Sequence, residues 1–247
     1  MLTNFQTRIL KTISSGGRDG STGNVYQGKS KLAALMGDEF FTTIAGKVVL
    51  DFGCGEGAEA IEMAQRGARH VIGIDIREDV LQVAKKRALD ARVQDICVFA
   101  TSTKELADLV VSVDAFEHFA NPGEILGIMN TLLRPSGQVL ISFGPTWYHP
   151  LGGHLFSVFP WAHLIFSERA LISWRSTFKT DGAMRFGEVA GGLNQITIAK
   201  FEQLVAASPF KFAALELVPI RKLRRLHNSL TREFTTAVVR CRLVKRA

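Results

Sequence analysis

The chain has 247 residues, 47% of them hydrophobic and 21% charged, and a net charge of +7, a balance typical of a folded protein with a sizeable core. Its longest apolar stretch, residues 155–166, is too short to span a bilayer, and no N-terminal segment resembles a signal peptide. The three cysteines lack metal-ligand spacing, so we expect reduced thiols in a soluble, cytoplasmic protein and not a channel or a disulfide-stapled domain.

The N-terminal segment is polar and dotted with glycine, and it shows no sustained hydrophobic periodicity. We therefore predict a mobile arm over residues 1–30. A short helix is expected from Lys31 to Met36, where the core of the chain begins.

Apolar strands and helical segments alternate through the next hundred residues. This order predicts an α/β fold with a doubly wound parallel sheet, because parallel neighbours are joined by right-handed crossover helices that cover both faces. The predicted strands are 47–52, 70–75, 96–100, 109–114 and 137–143, and the predicted helices are 57–66, 78–90 and 121–133.

The first predicted strand ends in a glycine turn of distinctive spacing. Asp51 is followed by Gly53, Gly55 and Gly57, an arrangement in which backbone can approach a ligand closely. Dinucleotide-binding turns follow G-x-G-x-x-G, so that backbone N–H groups meet a pyrophosphate. The G-x-G-x-G spacing, with a carboxylate in front of it, disfavours a pyrophosphate and favours a ligand that carries an ammonium group.

The second predicted strand ends in another acid, Asp75. An acid at this point of a βαβ unit accepts hydrogen bonds from both ribose hydroxyls of an adenosine. The alternative is that Asp75 caps the helix predicted at 78–90. Together with the glycine turn, the position favours ribose binding.

Residues 47–145 resemble the class I S-adenosylmethionine-dependent methyltransferases that act on small molecules, with a type 11-like core. Asp51 with its three glycines, and then Asp75, match the first two motifs of that family. The segments 108–118 and 133–141 match its fourth-strand motif and its turn into strand five. Four motifs in the right order make the resemblance specific.

The resemblance implies S-adenosyl-L-methionine as the cofactor and a mostly parallel, seven-stranded Rossmann-like sheet. Relatives usually carry an acid or amide after strand three, but here residues 101–106 leave space for barely one turn, so Thr101 or Ser102 would contact the adenine. The residues implied to bind the cofactor are Tyr26, Asp51, Gly53, Cys54, Gly55, Asp75, Ile76, Thr101, Ser102, Val113 and Asp114.

Residues 145–200 are too long for a simple connection and contain eight aromatic side chains. An insertion here lies at the carboxyl ends of the strands, where α/β sheets bind ligands. We predict a helical cap over a pocket for a small apolar, aromatic or lipid-like acceptor. A second small core or a dimer contact is the alternative. The aromatic residues are Trp147, Tyr148, Phe156, Phe159, Trp161, Phe166, Trp174 and Phe178.

The chain is thus divided into the arm, a cofactor-binding core at 31–144, the cap at 145–200 and the end of the core sheet at 201–247. A last core helix is predicted over 193–205, with Thr197 capping it. As the resemblance implies, segments 211–219 and 235–246 should then pair as an antiparallel C-terminal hairpin.

The basic charge is concentrated at the end of the chain. Residues 221–247 hold nine Lys or Arg and one acid, whereas the other 220 residues hold 21 Lys or Arg and 22 acids. Such a face can contact RNA or a membrane. In 238–246, however, charged and apolar residues interleave as on a half-exposed strand, so we favour a structural role and expect neither a nucleic-acid partner nor stable membrane association.

Histidines are the candidate catalytic groups. His149 and His154 flank a turn directly after the fifth strand, where a side chain can face the mouth of the pocket. We predict that one of them acts as a general base, and the alternative is a packing role. His118 is expected to line the pocket. The spacing of His149, His154, His163 and Glu168 follows no helix face, so we predict no metal site.

The function that the resemblance implies is methyl transfer from S-adenosylmethionine to a small acceptor. Two alternatives stay open: an RNA methyltransferase that uses the basic C-terminal residues, and a non-catalytic protein that only binds the cofactor. The acceptor atom and the oligomeric state are not determined by the sequence.

We predict that NADH and NADPH do not bind, because Asp51 and the shortened glycine spacing leave a pyrophosphate without a cradle. Thermal-shift measurements with each nucleotide, beside S-adenosylhomocysteine, test this. Stabilisation by NADH alone would reverse the interpretation of the turn.

Overall fold

A computed structural model describes residues 2–14, 30–189 and 191–246. Within them the chain forms one seven-stranded sheet in the order β3-β2-β1-β4-β5-β7-β6. The first five strands of that order are parallel, and β7 runs antiparallel to both of its neighbours. The strands are β1 Val48–Phe52, β2 His70–Ile74, β3 Cys97–Ala100, β4 Ala107–Val113, β5 Leu133–Phe143, β6 Phe210–Pro219 and β7 Thr236–Lys245.

The sequence-based prediction of a doubly wound, mostly parallel sheet with an antiparallel C-terminal hairpin is confirmed. The helices are α1 Leu2–Ile13, α2 Lys31–Met36, α3 Glu39–Ile44, α4 Ala58–Gln65, α5 Glu78–Asp90, α6 Pro122–Leu132, α7 Ala162–Ile165, α8 Glu168–Arg175, α9 Ile198–Ala207 and α10 Arg232–Thr235. Short 3₁₀ turns lie at Phe116–His118, His154–Phe156, Phe186–Glu188 and Arg221–Leu226.

The sheet is buried on both faces, which is why its central strands are almost continuously apolar. Alternate residues of β1 point into different clusters: Val48 and Leu50 pack with α6 and α9, and Val49 packs with α2 to α5. The two clusters fix the sheet between its helices, so that the carboxyl ends of β1, β2 and β4 are held in a defined relation.

The strand order reverses between β1 and β4, since the chain runs outward from β1 to β3 on one side and from β4 to β5 on the other. In open α/β sheets, the crevice outside the carboxyl ends of the strands at such a reversal is where ligands bind. The glycine turn after β1 therefore lies at the expected point.

Two element predictions are wrong. Residues 2–13 are helix α1 and not part of a mobile arm: Leu10 is fully buried and Thr7 is nearly so. The apolar residues of this segment recur at helical spacing, which indicates the helix, whereas its packing partner α8 lies far along the chain. The last core helix begins only at Ile198, although Thr197 caps it as predicted by accepting a hydrogen bond from the Lys200 N–H.

Most aromatic residues of the cap form a third hydrophobic cluster of their own. Trp174, Phe156 and Phe186 are at least 97% buried there, and Leu10 of α1 completes the cluster. Trp147, Phe166 and Phe178 pack against its edge. The alternative interpretation of the aromatic composition, a second small core, thus accounts for five of the eight side chains noted in the sequence.

No helix in the described parts of the chain is both long enough and apolar enough to cross a membrane.

The packing of α1 gives a stability prediction. Leu10→Ala should lower the free energy of unfolding by about 2–5 kcal/mol, because it leaves a cavity between α1 and the cap. Leu2→Ala is the matched control on the same helix. Leu2 is 69% exposed, so the change should cost less than about 0.5 kcal/mol. Urea unfolding measures both, and equal effects would show that α1 does not pack in solution.

Candidate active site

The glycine turn after β1 is pressed against the residues that follow β4. Gly53 has φ +83°, and a Cβ at this position would lie 2.6 Å from the Ala115 Cβ. The N–H groups of Gly53 and Cys54 both donate to the Ile74 carbonyl, at 2.8 and 3.0 Å, which ties the turn to the end of β2. Glycine is therefore required here both by the backbone conformation and by the close approach.

Asp75 directs its carboxylate back toward the same turn. One oxygen accepts the Gly55 N–H at 3.0 Å, and the other accepts the Arg77 N–H at 3.0 Å. The Arg77 guanidinium also donates to both oxygens, at 3.2 and 3.3 Å, although its side chain is half exposed. A ribose diol could reach the Asp75 oxygens by displacing the half-exposed guanidinium of Arg77. The hydrogen bond from the Gly55 N–H would keep the carboxylate in place.

Asp51 is buried behind the turn, with 2% of its surface exposed. Its Oδ2 atom has no hydrogen-bond partner among the described residues. Burial, with the nearby Glu59 carboxylate, raises the pKa of Asp51 to about 8, against the opposing effect of Lys31. A buried acceptor without a donor fits an incoming ammonium group, which would both fill the hydrogen bond and favour the charged carboxylate.

Lys31, the first residue of α2, connects two of the elements around the site. Its Nζ lies 2.9 Å from Asp114 Oδ2 and 3.2 Å from Glu59 Oε1. Burial alone would lower the pKa of Lys31, but the two carboxylates raise it above its ordinary value. Asp114 directly follows β4 and has φ +47°, a conformation that costs a non-glycine residue on the order of 1–3 kcal/mol. Its N–H donates to the Ser142 carbonyl at 2.8 Å.

Glu117 and His118 continue the site toward the cap. Glu117 is 2% exposed; its Oε1 accepts a long hydrogen bond of 3.4 Å from the Gly144 N–H, and its Oε2 has no partner among the described residues. Burial, followed by repulsion from Asp114, raises the pKa of Glu117 to about 8. His118 Nδ1 lies 2.8 Å from the Gly192 carbonyl. Since a carbonyl only accepts, this contact places a proton on Nδ1, so that Nε2 is the acceptor nitrogen of the neutral imidazole.

The imidazole rings of His154 and His118 are in contact, with their centroids 5.2 Å apart. Burial and then the neighbouring histidines lower the pKa of His154 to about 4, although a hydrogen bond to the Pro145 carbonyl acts in the opposite direction. Its Nε2 atom is buried without a partner among the described residues. A neutral imidazole with an open acceptor nitrogen can receive a hydrogen bond from a hydroxyl or an amine.

His149 and His163 are engaged in holding the cap together. His149 is half-buried, and its Nδ1 accepts the Leu151 N–H at 2.9 Å. This partial burial, and then the nearby His163, lower the pKa of His149 to about 4. His163 Nε2 lies 2.7 Å from the Trp147 carbonyl. No group of three or more His, Cys, Asp or Glu side chains in the described ranges is arranged to hold a metal ion.

The remaining predicted cofactor residues surround the end of β2 and β3. Ile76 is 89% exposed directly after Asp75, and Thr101 and Ser102 are exposed directly after β3. Cys54, within the turn, and Val113, the last residue of β4, are buried in the same hydrophobic cluster. Tyr26 lies outside the described residues.

Sequence reasoning missed the cationic side of the site. Lys31 and Glu59 each look like an ordinary charge at the start of a helix, and nothing local indicates that α2 and α4 bring them together. Glu117 lies within the fourth-strand motif, but the burial of its carboxyl group is a tertiary property that the motif does not indicate.

The core of the chain is similar to known methyltransferases. Residues 44–145 match a family model described as a methyltransferase domain. Over 112 residues the chain is 39% identical to the ubiquinone biosynthesis O-methyltransferase of Acinetobacter baylyi, covering 42% of this chain and 47% of that protein. It is 40% identical over 103 residues to the protein of the same name from Aeromonas salmonicida, covering 39% and 43%. The chain thus spans about half the length of the curated relatives it matches.

Among solved structures, an S-adenosylmethionine-dependent methyltransferase from Mesorhizobium loti superposes with a TM-score of 0.54. The match covers 82% of this chain and 92% of that one at 17% identity, which shows a shared fold.

The buried carboxyl groups give a pH prediction. Glu117 has a pKa of about 8 in the folded chain and near 4.5 when unfolded, so the folded state keeps a proton that the unfolded state releases. Stability from this group is therefore complete below about pH 4.5 and is lost as the pH rises to about 8. Asp51 acts in the same direction.

Glu117→Gln should flatten this decline, because the amide cannot ionise. Urea unfolding at a series of pH values between about 5 and 8 measures the slope. Glu78→Gln, at an exposed position of α5, is the control. A slope that is unchanged in Glu117→Gln would contradict the assignment.

Proposed function

We propose that this chain, whose residues 44–145 belong to the methyltransferase domain family, transfers the methyl group of S-adenosylmethionine to an oxygen atom of a small apolar or aromatic acceptor. The observation that carries the proposal is the buried Asp51 Oδ2 atom, which has no partner in the described part of the chain and lies beside a glycine turn tied to Asp75. This pairing offers an acceptor for an ammonium group and an acceptor for a ribose diol on adjacent strand ends.

The residues present fit the cofactor. When bound, S-adenosylmethionine supplies a methyl group already activated by its sulfonium. Asp51 would hold the ammonium group, Asp75 the ribose hydroxyls, and the exposed Ile76 would cover one face of the adenine. The backbone at Gly53 and Gly55 allows close approach. The excess of carboxylates over cations in this crevice favours a ligand with two positive charges.

On the acceptor side, His118 and His154 hold and orient the nucleophile. A base with a pKa of about 4 is too weak to deprotonate a free phenol, so His154 first accepts a hydrogen bond from the acceptor hydroxyl. The hydroxyl proton becomes strongly acidic as the methyl group bonds to the oxygen, and His154 then takes this proton and releases it to water. His118 Nε2 is the second acceptor beside it. His149 stays a prediction, and its Nδ1 is already used by the turn it closes.

The cap excludes water from this region. It has a hydrophobic cluster of its own, and the Asn194 side chain fixes the end of the cap by donating to the carbonyls of Phe116 and Phe119 at 2.9 Å each. Dry, fixed surroundings strengthen the electrostatic orientation of reactants. The curated relatives named above are O-methyltransferases of ubiquinone biosynthesis, which supports oxygen as the acceptor atom and a small organic molecule as the substrate.

A methyl-transfer assay tests the activity. The chain is incubated with methyl-labelled S-adenosylmethionine and, in separate reactions, with small phenols and catechols, with amines and with RNA. Label transferred to a phenolic oxygen supports the proposal. Label in RNA alone, or binding of the cofactor without transfer to any acceptor, would favour one of the two alternative functions.

Asp75→Ala should weaken S-adenosylmethionine binding about ten- to a hundredfold, because a charge-assisted contact to the ribose is lost. Asp79→Ala, which removes an exposed acid from the first turn of α5, is the matched control and should bind normally. Isothermal titration calorimetry measures both. Unchanged affinity in a folded Asp75→Ala protein would remove Asp75 from the site.

A further inference from the structure

The connection between β6 and β7, residues 220–235, is a surface feature that the proposed chemistry does not use. Because β7 is antiparallel to β5, with Phe143 paired to Val239, this basic connection lies at the carboxyl edge of β5. It therefore shares an edge of the sheet with the candidate active site and borders the cap.

Four basic side chains of this connection are without an ion-pair partner in the described part of the chain. Arg221, Lys222, Arg224 and Arg225 are exposed and form no salt bridge with any described residue. Most of the other basic residues in the C-terminal region contact the rest of the fold. Arg232 makes a two-pronged contact with Glu202 at 2.6 and 2.7 Å, and the basic residues of β7 and its end that contact the fold are Arg240, Lys245 and Arg246.

Exposed apolar side chains follow these cations directly. Leu226 is 61% exposed, Leu230 is 90% exposed and Phe234 is 44% exposed. The Phe234 ring lies 5.3 Å from the ring of Tyr148, itself 36% exposed on the cap. The apolar surface thus continues from the basic connection onto the cap, with four positive charges at one end.

The basic connection is held in shape by the fold. The Glu233 carboxylate accepts the N–H groups of Ile198 and Ala199 at 2.9 and 2.8 Å, which caps α9. The Ile220 N–H donates to the Thr235 carbonyl at 2.8 Å and closes the base of the connection. The leucines are thereby presented to solvent by anchored backbone.

We propose that the basic connection docks the protein reversibly on an anionic lipid bilayer. Lysine and arginine are attracted to acidic headgroups, and aliphatic side chains beside them enter the boundary between headgroups and acyl chains. Single-stranded nucleic acids are bound by aromatic side chains interleaved with the cations. The apolar side chains that follow these cations are Leu226 and Leu230, and the exposed aromatic ring of Phe234 lies against Tyr148 and not among the cations. Docking would place the cap beside the bilayer, from which an apolar molecule can diffuse. The docking itself does not depend on the proposed methyl transfer.

Sedimentation with lipid vesicles tests the proposal on the full chain. The protein should bind vesicles of phosphatidylglycerol and phosphatidylcholine in equal parts, should not bind pure phosphatidylcholine, and should be released by high salt. Each basic residue near an anionic surface raises the membrane partition coefficient about fivefold. The quadruple variant R221Q/K222Q/R224Q/R225Q should therefore lower that coefficient more than about a hundredfold. Leu226→Ser with Leu230→Ser should lose roughly tenfold.

The matched control is Lys85→Gln with Lys86→Gln, two exposed lysines of α5 near the opposite edge of the sheet, which should partition like the wild type. Three results would overturn the proposal: equal binding to neutral and anionic vesicles, loss of binding in the control pair, or binding of RNA but not of vesicles by the wild type. The first and third use no variant, so they decide the matter even if a variant is unstable.

Discussion

The crowding of acids at the carboxyl edge of the sheet is the constraint on which the rest of the site depends. The described cations that face these acids are Lys31 and Arg77. Burial removes water from several of the acids, and the pKa values of Asp51 and Glu117 rise to about 8 as a consequence. The acids concerned are Asp51, Glu59, Asp75, Asp114 and Glu117.

Such an arrangement costs stability and persists only because the fold over-determines it. The two hydrophobic clusters on the faces of the sheet fix the strand ends, and the close approach of Gly53 to Ala115 fixes the turn between them. The repulsion among these acids that remains uncompensated favours the binding of a positively charged ligand. Under the proposed function, a ligand that brings positive charge relieves this repulsion, so the crowding that lowers stability would also favour a cationic cofactor.

The cap is a different kind of structure from the core. Its aromatic residues mostly stabilise the cap itself, together with Leu10 of α1, and only its inner edge meets the site through His154 and Asn194. Its outer edge meets the basic connection through Tyr148 and Phe234. The cap therefore lies between the candidate active site and the proposed bilayer surface, and an apolar acceptor that reaches the site from a membrane would pass along it.

The sequence by itself determined the order of strands and helices, the glycine turn with its acid, and the ribose-binding candidate Asp75, because these follow from local periodicity and from short-range spacing. Only the tertiary structure decided which side chains from distant segments contact each other. Lys31 meets Asp114 across 83 positions of the sequence, and His118 meets His154 only after the cap folds back. It likewise decided that α1 packs, that Arg240 and Lys245 of β7 contact the fold, and that the basic residues at 221–225 form no salt bridge with any described residue. Contacts between distant segments depend on burial and topology, which no local pattern encodes.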